Sequence, residues 1–423
     1  MANFLRCKSG KDVVCSNVNS PVVRPAATIG MSHFALLAMI GVMLMALAGE
    51  ATDAQEPLPA ARSRMQKLFE LSAGTACENR DYVADGAPHP KFVSSARRLL
   101  DPPELLSASP SWTEDSLQWV NYILLSYRPS IPEPPERRAA LFRLDDVLHF
   151  PDAASIPAVE TFYVDRIKGA LDEVEGSQVK SGARVWKLYN HGFLLKTPDA
   201  SIAFDIVSGT QTPGISISDS DIRRIVDSTD ALFISHWHPD HADKRVVRAF
   251  LKAHKPVVVP PNLWDNDPEF AGTLLVPDRQ AEHQNILRLP SGHEVHYIVY
   301  PGHQNAAVLN NVYLVTTDSG FSVMHTGDQS ADDPNFADYL WFSQISKHHP
   351  VDLLLINAWA PGLNRIATGV HPRLLITGHE DELAHGISHR ESYSQTYDRL
   401  FCTTTPHVVM TWGESFSYRA SDF

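Results

Sequence analysis

An α/β body preceded by a mostly helical region is the fold class this chain predicts. Three observations carry it. Short apolar runs of strand length recur from about residue 181 onward, among them Ala231-Leu232-Phe233-Ile234 and Val312 to Thr317. Between them stand helical patterns, such as Asp243 to Lys255, where Val246, Val247, Phe250 and Leu251 share one face. Upstream, from about 55 to 180, the helical period dominates.

The chain has 423 residues, of which 20% are charged and 43% hydrophobic. That is globular composition, long enough for one large domain or two smaller ones. The formal net charge of -13 disfavours a nucleic-acid partner, because phosphate contacts need clustered Lys and Arg. A small-molecule substrate is the expected partner.

Residues 1–54 read as a leader with a signal peptide. Phe34 to Gly49 is uncharged and shorter than the roughly 20 apolar residues that span a bilayer. Arg6, Lys8, Lys11 and Arg24 precede it against the single acid Asp12, and Ala46 and Ala48 supply small residues for cleavage. A mature start between Ala48 and Glu56 and an exported chain, periplasmic or secreted, follow from this reading. Met31 is an alternative start. Membrane contact is expected only if the segment stays uncleaved as an anchor. Cys7 and Cys15 would be lost on cleavage, leaving Cys77 and Cys402, either bridged or separately buried.

The region 55–180 is expected to be helical and to pack on the catalytic body. Ser116 to Tyr127 and Val159 to Val174 carry helical spacing, and the prolines 129, 132, 134 and 135 between them form a connector. From 181 to 423 strands alternate with helices. "ARVWKLY", "GFLLKT" and "SIAFDIV" open the series, with a Pro198-Asp199-Ala200 turn before the third. "PVVVP", Val295 to Tyr300, Val312 to Thr317 and Phe321 to Thr326 follow, the last two joined by the hairpin signal Asp318-Ser319-Gly320. Asp352 to Ile356, Arg373 to Thr377 and His407 to Trp412 close it. No G-x-x-x-x-G-K-[ST] phosphate loop, G-x-S-x-G elbow or C-x-x-C is present.

Chemistry concentrates in "ISHWHPDHADK", directly after Ala231 to Phe233. His236 and His238 are two apart and point to the same side of an extended segment. Asp240 and His241 follow the bend at Pro239 and offer an oxygen and an imidazole to a second ion. Four ligands cannot saturate two ions. Three further candidates each follow a strand-like run and a glycine: His303 after Gly302, Asp328 after Gly327, His379 after Gly378. Glycine there permits a sharp turn or a close backbone approach. His371 and His385 compete with His379 for the last place. His325 is expected to point away from the metals.

H-x-H-x-D-H after a strand, with His, Asp and His at later strand ends, resembles the metallo-β-lactamase superfamily of metallohydrolases. The resemblance covers roughly residues 181–423. It implies an αβ/βα sandwich with the metal site along one edge. It assigns His236, His238 and His303 to one ion, Asp240, His241 and His379 to the other, and Asp328 to the bridge between them. Asp205 matches an aspartate that supports the ligand loop. "LYNHGFLLKT" resembles the ascorbate-phosphate-lactonase-like branch, which places His191 near the substrate. Asp240 would also orient the nucleophile. The implied cofactor is two zinc ions, with iron or manganese as alternatives because imidazole suits them all.

Zinc lowers the pKa of bound water from 15.7 to roughly 7, which supplies hydroxide at neutral pH. The expected activity is therefore hydrolysis of an ester, lactone or amide by an exported binuclear enzyme. A phosphodiesterase and an iron-dependent oxidoreductase of the same fold are the alternatives. The acidic net charge favours a neutral substrate over a polyanion.

Overall fold

The structure, a computed structural model, describes residues 110–209, 215–305, 307–330 and 337–423. The apolar segment Phe34 to Gly49, Cys7, Cys15, Cys77, the expected mature start and the helical reading of 55–109 lie outside these residues. Cys402 takes part in a disulfide. Among the described residues no helix is long and apolar enough to cross a membrane.

Three helices precede the first strand: α1 Pro110–Ser126, α2 Pro135–Leu148 and α3 Pro157–Gly176. Proline at the start of α2 and of α3 suits a first helical turn, where its missing N–H has no partner to lose. The prolines between α1 and α2 stop the helix, as their sequence pattern predicts.

Two mixed sheets follow. The first has six strands in the order β13-β1-β2-β3-β4-β5. These are β1 Ala183–Lys187, β2 Phe193–Lys196, β3 Ser201–Phe204, β4 Ala231–Phe233, β5 Val257–Val258 and β13 Glu414–Tyr418. The second has seven strands in the order β12-β11-β10-β9-β8-β7-β6. These are β6 Gln284–Arg288, β7 Glu294–Asn305, β8 Val308–Thr317, β9 Ser322–His325, β10 Leu353–Asn357, β11 Leu374–Gly378 and β12 His407–Val408. In each sheet an antiparallel meander passes into parallel strands, at β3–β4 in the first and β9–β10 in the second.

Strand alternation builds two cores. Val185, Leu195, Phe204 and Phe233 face Tyr297, Tyr313, Val323 and Leu355 between the sheets. The ring of Phe233 meets Tyr297 and Tyr313 edge-on at 5.4 and 5.2 Å. Their strand neighbours Trp186, Leu194 and Leu232 face outward into a second core shared with the helices. Helices α4 Asp219–Ser228 and α5 Lys244–Lys252 cover the first sheet, and α8 Leu363–Val370 the second, after two short turns, α6 Asp338–Phe342 and α7 Ile345–His348. The layers make an αβ/βα sandwich, the architecture the resemblance implies.

The three leading helices share that outer core. Arg137 of α2 is fully buried and forms a two-pronged pair with Glu414 of β13. Arg166 of α3 donates to the Trp412 carbonyl at 2.7 Å. An arginine fork suits a carboxylate because its N–H groups match both oxygens.

Candidate metal centre

The ligand loop begins where β4 ends. Ser235 is tied to Asp205, which follows β3: its N–H donates to Oδ1 at 2.7 Å and its hydroxyl to Oδ2 at 2.5 Å. The second sheet holds the other side of the same turn. Asn311 N–H donates to the Ser235 carbonyl and the Tyr313 hydroxyl to the Ile234 carbonyl, both at 2.8 Å. His236 is thus presented from a turn gripped by both sheets.

Two groups of ligand atoms gather here, each within 4.8 Å: Asp240, His241, Asp328 and His379, and His236, His238 and Asp328. Asp328 is common to both. His241 Nε2 lies 3.3 Å from Asp240 Oδ2 and 3.2 Å from Asp328 Oδ1. His379 Nε2 lies 3.3 Å from Asp240 Oδ2 and from Asp328 Oδ2. His236 Nε2 lies 3.6 Å from Asp328 Oδ2.

The donor set fits metal ions. The Nε2 atoms of His236, His241 and His379 and Oδ1 of Asp328 are buried and receive no hydrogen bond. Burying a polar atom without a partner costs about 1–3 kcal/mol, so four such atoms aimed at one space call for cations. The far side of one ring is fixed as metal-binding histidines require. His241 Nδ1 donates to Asp205 Oδ2 at 2.8 Å, which leaves Nε2 as the nitrogen facing the centre.

The electrostatics agree. Burial pulls His236 down to about 3, with the neighbouring His241 adding to the effect. Burial also opposes charge on His379, but Asp328 and Asp240 outweigh it and hold the ring up to about 10. His241 is raised in the same way, burial being overcome by Asp328, Asp240 and Asp205. Asp240 and Asp328 stay well below the usual carboxylate range, since His241 and His379 more than offset their burial. Carboxylates that hold protons on two imidazoles equally favour a cation in place of those protons.

The glycines before the ligands have steric reasons. Gly327 has φ +54, and a Cβ there would lie 2.2 Å from Asn310 Oδ1 and 2.5 Å from Ser235 Cβ. A Cβ on Gly378 would lie 2.3 Å from His191 Nδ1. Each ligand-bearing strand end passes so close to another element that only glycine fits.

His303 stands apart from both groups. Its Nδ1 lies 3.2 Å from Asp338 Oδ2, and its side chain is half-buried on β7. Gln329 braces that pair, with Nε2 donating to Asp338 Oδ2 at 2.9 Å and Oε1 accepting from the His303 N–H at 3.3 Å. His191 is fully buried. Its ring packs on His325 at 4.3 Å and lies 6.2 Å from that of His241. His325 accepts from the Gly327 N–H at Nδ1 and donates to the His191 carbonyl at Nε2, facing away from the ligands. His371 caps α8 in a left-handed conformation. His385 stacks on His379 at 5.7 Å rather than joining either group.

Sequence reasoning passed over the residues that brace the ligands. Asn190, beside His191, donates to Asp240 Oδ2 at 3.0 Å, and its carbonyl accepts from the His379 N–H at 3.0 Å. The signal was in "YNHG": asparagine tolerates positive φ, and Asn190 sits at 55° in a turn closed by Gly192 N–H to the Tyr189 carbonyl. Gln304 donates to Asp328 Oδ2 at 3.1 Å. Glu382 is buried near Asp240 and His379, and burial together with Asp240 pushes its carboxyl up to about 7. Nothing in the spacing of Gln304 or Glu382 distinguishes them from turn residues.

No protein family matches the chain, and no curated protein matches it. Solved structures do. One is Igni18, described as a novel metallo hydrolase, from the archaeon Ignicoccus hospitalis KIN4/I, with TM-score 0.44 and 13% identity over 56% of this chain and 99% of that one. Another is described as a possible metal-dependent hydrolase, from Veillonella parvula DSM 2008, with TM-score 0.42 and 12% identity over 57% and 100%. A third, assigned to the Zn-dependent hydrolases of the metallo-β-lactamase superfamily, comes from Thermotoga maritima, with TM-score 0.29 and 13% identity over 54% and 98%. None of these descriptions mentions an ascorbate-phosphate lactonase.

Proposed function

We propose that this chain is an exported metal-dependent hydrolase of the metallo-β-lactamase superfamily that holds two zinc ions and cleaves an ester, lactone or amide of a small molecule. The observation that carries the reading is the convergence of four buried, unpartnered ligand atoms from three strand ends. His236 and His238, with Asp328, form one pole; Asp240, His241 and His379, with Asp328, form the other. His303, oriented by Asp338, completes the first pole in the resemblance, and its Nε2 is the nitrogen left for that role.

Bound ions would supply Lewis acidity that activates water and polarises the scissile carbonyl. The chain's own residues position the reaction. Asn190 fixes Asp240 at Oδ2, so that this carboxylate orients the attacking water. Trp237, between two ligands and 53% exposed, presents an apolar face beside the centre.

The charge around the centre supports a neutral substrate. Lys244, Arg245 and Arg248 pair with Asp267, Asp219 and Glu269. Arg279 donates to the Gly302 and Asn310 carbonyls. Lys187 is buried against Glu380. These cations are committed, and none is placed to clamp a phosphate.

The test is zinc-loaded enzyme assayed on lactones, aryl esters, amides, β-lactams and a bis-aryl phosphodiester. We expect kcat/KM for a lactone or aryl ester to exceed that for the phosphodiester, and Asp328→Ala to abolish both. The reverse ratio, still lost in Asp328→Ala, would overturn the substrate class and leave the metal centre standing. Iron in place of zinc, in protein purified without added metal, would overturn the zinc assignment.

A further inference from the structure

A second cluster of ligand-type side chains lies outside this centre, where α2 meets the loop that follows β11. Asp145, His149 and Asp381 bring one ligand atom each within 4.8 Å of one another, and all three are buried. Asp145 and His149 lie on the last turn and C-cap of α2; Asp381 comes two residues after His379 with φ 52.

The cluster brings two carboxylates and one imidazole together away from solvent. Asp381 is fully buried, and neither of its carboxylate oxygens receives a hydrogen bond among the described residues. Its Oδ1 lies 3.2 Å from His149 Nδ1. The same Nδ1 lies 3.0 Å from the Asp145 carbonyl oxygen. The other ring nitrogen, Nε2, lies 3.2 Å from the Arg390 carbonyl, which has no proton to give, so Nε2 carries the hydrogen and donates. The other nitrogen, Nδ1, is then the one that faces the two oxygens. That is the arrangement of a metal-binding histidine, with the remote N–H held by a backbone carbonyl.

The nearest guanidinium does not resolve the contact. Arg390 spends its N–H groups on the carbonyls of Leu148, Phe150, Leu383 and His385. Asp145 accepts the Tyr393 and Ser394 N–H groups, one on each oxygen, at 2.7 and 2.9 Å, which still leaves lone pairs on both. Two buried carboxylates this close together call for a cation among them.

We propose that Asp145, His149 and Asp381 form a further divalent-metal site, separate from the centre at Asp328, with the Asp145 carbonyl oxygen as a fourth ligand. One imidazole with carboxylate and carbonyl oxygens suits a borderline first-row ion such as zinc or manganese. The site joins α2 of the leading helices to the loop that carries His379. Its ion would fix that loop from outside and hold the helical layer to the sandwich.

The experiment is metal analysis of the full chain, equilibrated with zinc and freed of excess, for wild type, Asp145→Asn and His149→Ala. Each variant should bind one equivalent less than wild type. The reading is this difference, so it stands whether the centre at Asp328 holds two ions or fewer. In parallel, wild-type crystals grown with zinc should show an anomalous peak about 2.0–2.2 Å from His149 Nδ1 and from both carboxylates. That measurement decides the matter if a variant fails to fold. Equal zinc content in wild type and variants, or no anomalous peak at the cluster, would mean that a proton occupies it and would overturn the proposal.

Discussion

His241 and Asp205 share a buried hydrogen bond of 2.8 Å, with no solvent at either end. The aspartate that fixes the ring also accepts from both the N–H and the hydroxyl of Ser235. One carboxylate therefore sets the tautomer of a ligand and the shape of the loop that bears it. Removing a carboxylate behind a metal-binding histidine typically weakens metal affinity about 10–100-fold. Asp205→Ala should fall in that range or beyond, and Asp205→Asn less severely. Competition with a chelating dye checks this; unchanged affinity in Asp205→Ala would refute the orienting role.

Metal-free protein should lose stability as the solution is made alkaline. His379 is held up to about 10 against an ordinary value of 6.5, so its charge stabilises the fold fully below pH 6.5. That contribution, on the order of a few kcal/mol, fades as pH rises toward 10. Zinc replaces the proton, and the loaded protein should show a flatter profile over the same window. Thermal melts at stepped pH, with chelator and with zinc, make the comparison. Parallel profiles would refute it.

Zinc uptake should release protons, for the same reason. His241 and His379 hold theirs in the metal-free fold, and each must leave before its Nε2 can bind. Calorimetric titration in buffers of differing ionisation enthalpy should return a net release at pH 7. Zero release would mean that the rings are already neutral.

Arg137→Met should destabilise the protein by about 3 kcal/mol, because it leaves Glu414 buried with only the longer 3.5 Å ion pair to Arg166. Combining it with Glu414→Leu should recover much of the loss. Denaturant midpoints of the four proteins in this cycle decide it. A single variant as stable as the wild type would show that the pair contributes nothing.

The ligand pattern was legible because it is local: four residues in one loop, and a glycine before each later candidate. Strands with clear alternation were equally readable. Strand β6 was not, since as a mostly exposed edge only Leu287 is buried in it. Helix α4 and strand β13 were missed as well; β13 reads Glu-Ser-Phe-Ser-Tyr, and its charged residue is buried only because Arg137 meets it. The bracing residues Asn190, Gln304 and Asp338 act across tens of residues of sequence, and no spacing rule relates them to the atoms they hold. At the turn that carries His191, the neighbouring Asn190 amide holds Asp240, a contact that no motif announces.

The position of β13 also bears on synthesis. Its strand partner is β1, made some 230 residues earlier, and its Glu414 completes the buried charge pair of α2. While translation proceeds at about 5–20 residues per second, β1 waits on the nascent chain as an open sheet edge with a buried arginine above it. The metal-ligand loops after β4, β9 and β11 all emerge before that edge is closed. Chains that end before Glu414 should therefore be cleaved by proteases more readily than the full chain, since β1 lacks its partner strand β13 and Arg137 its carboxylate.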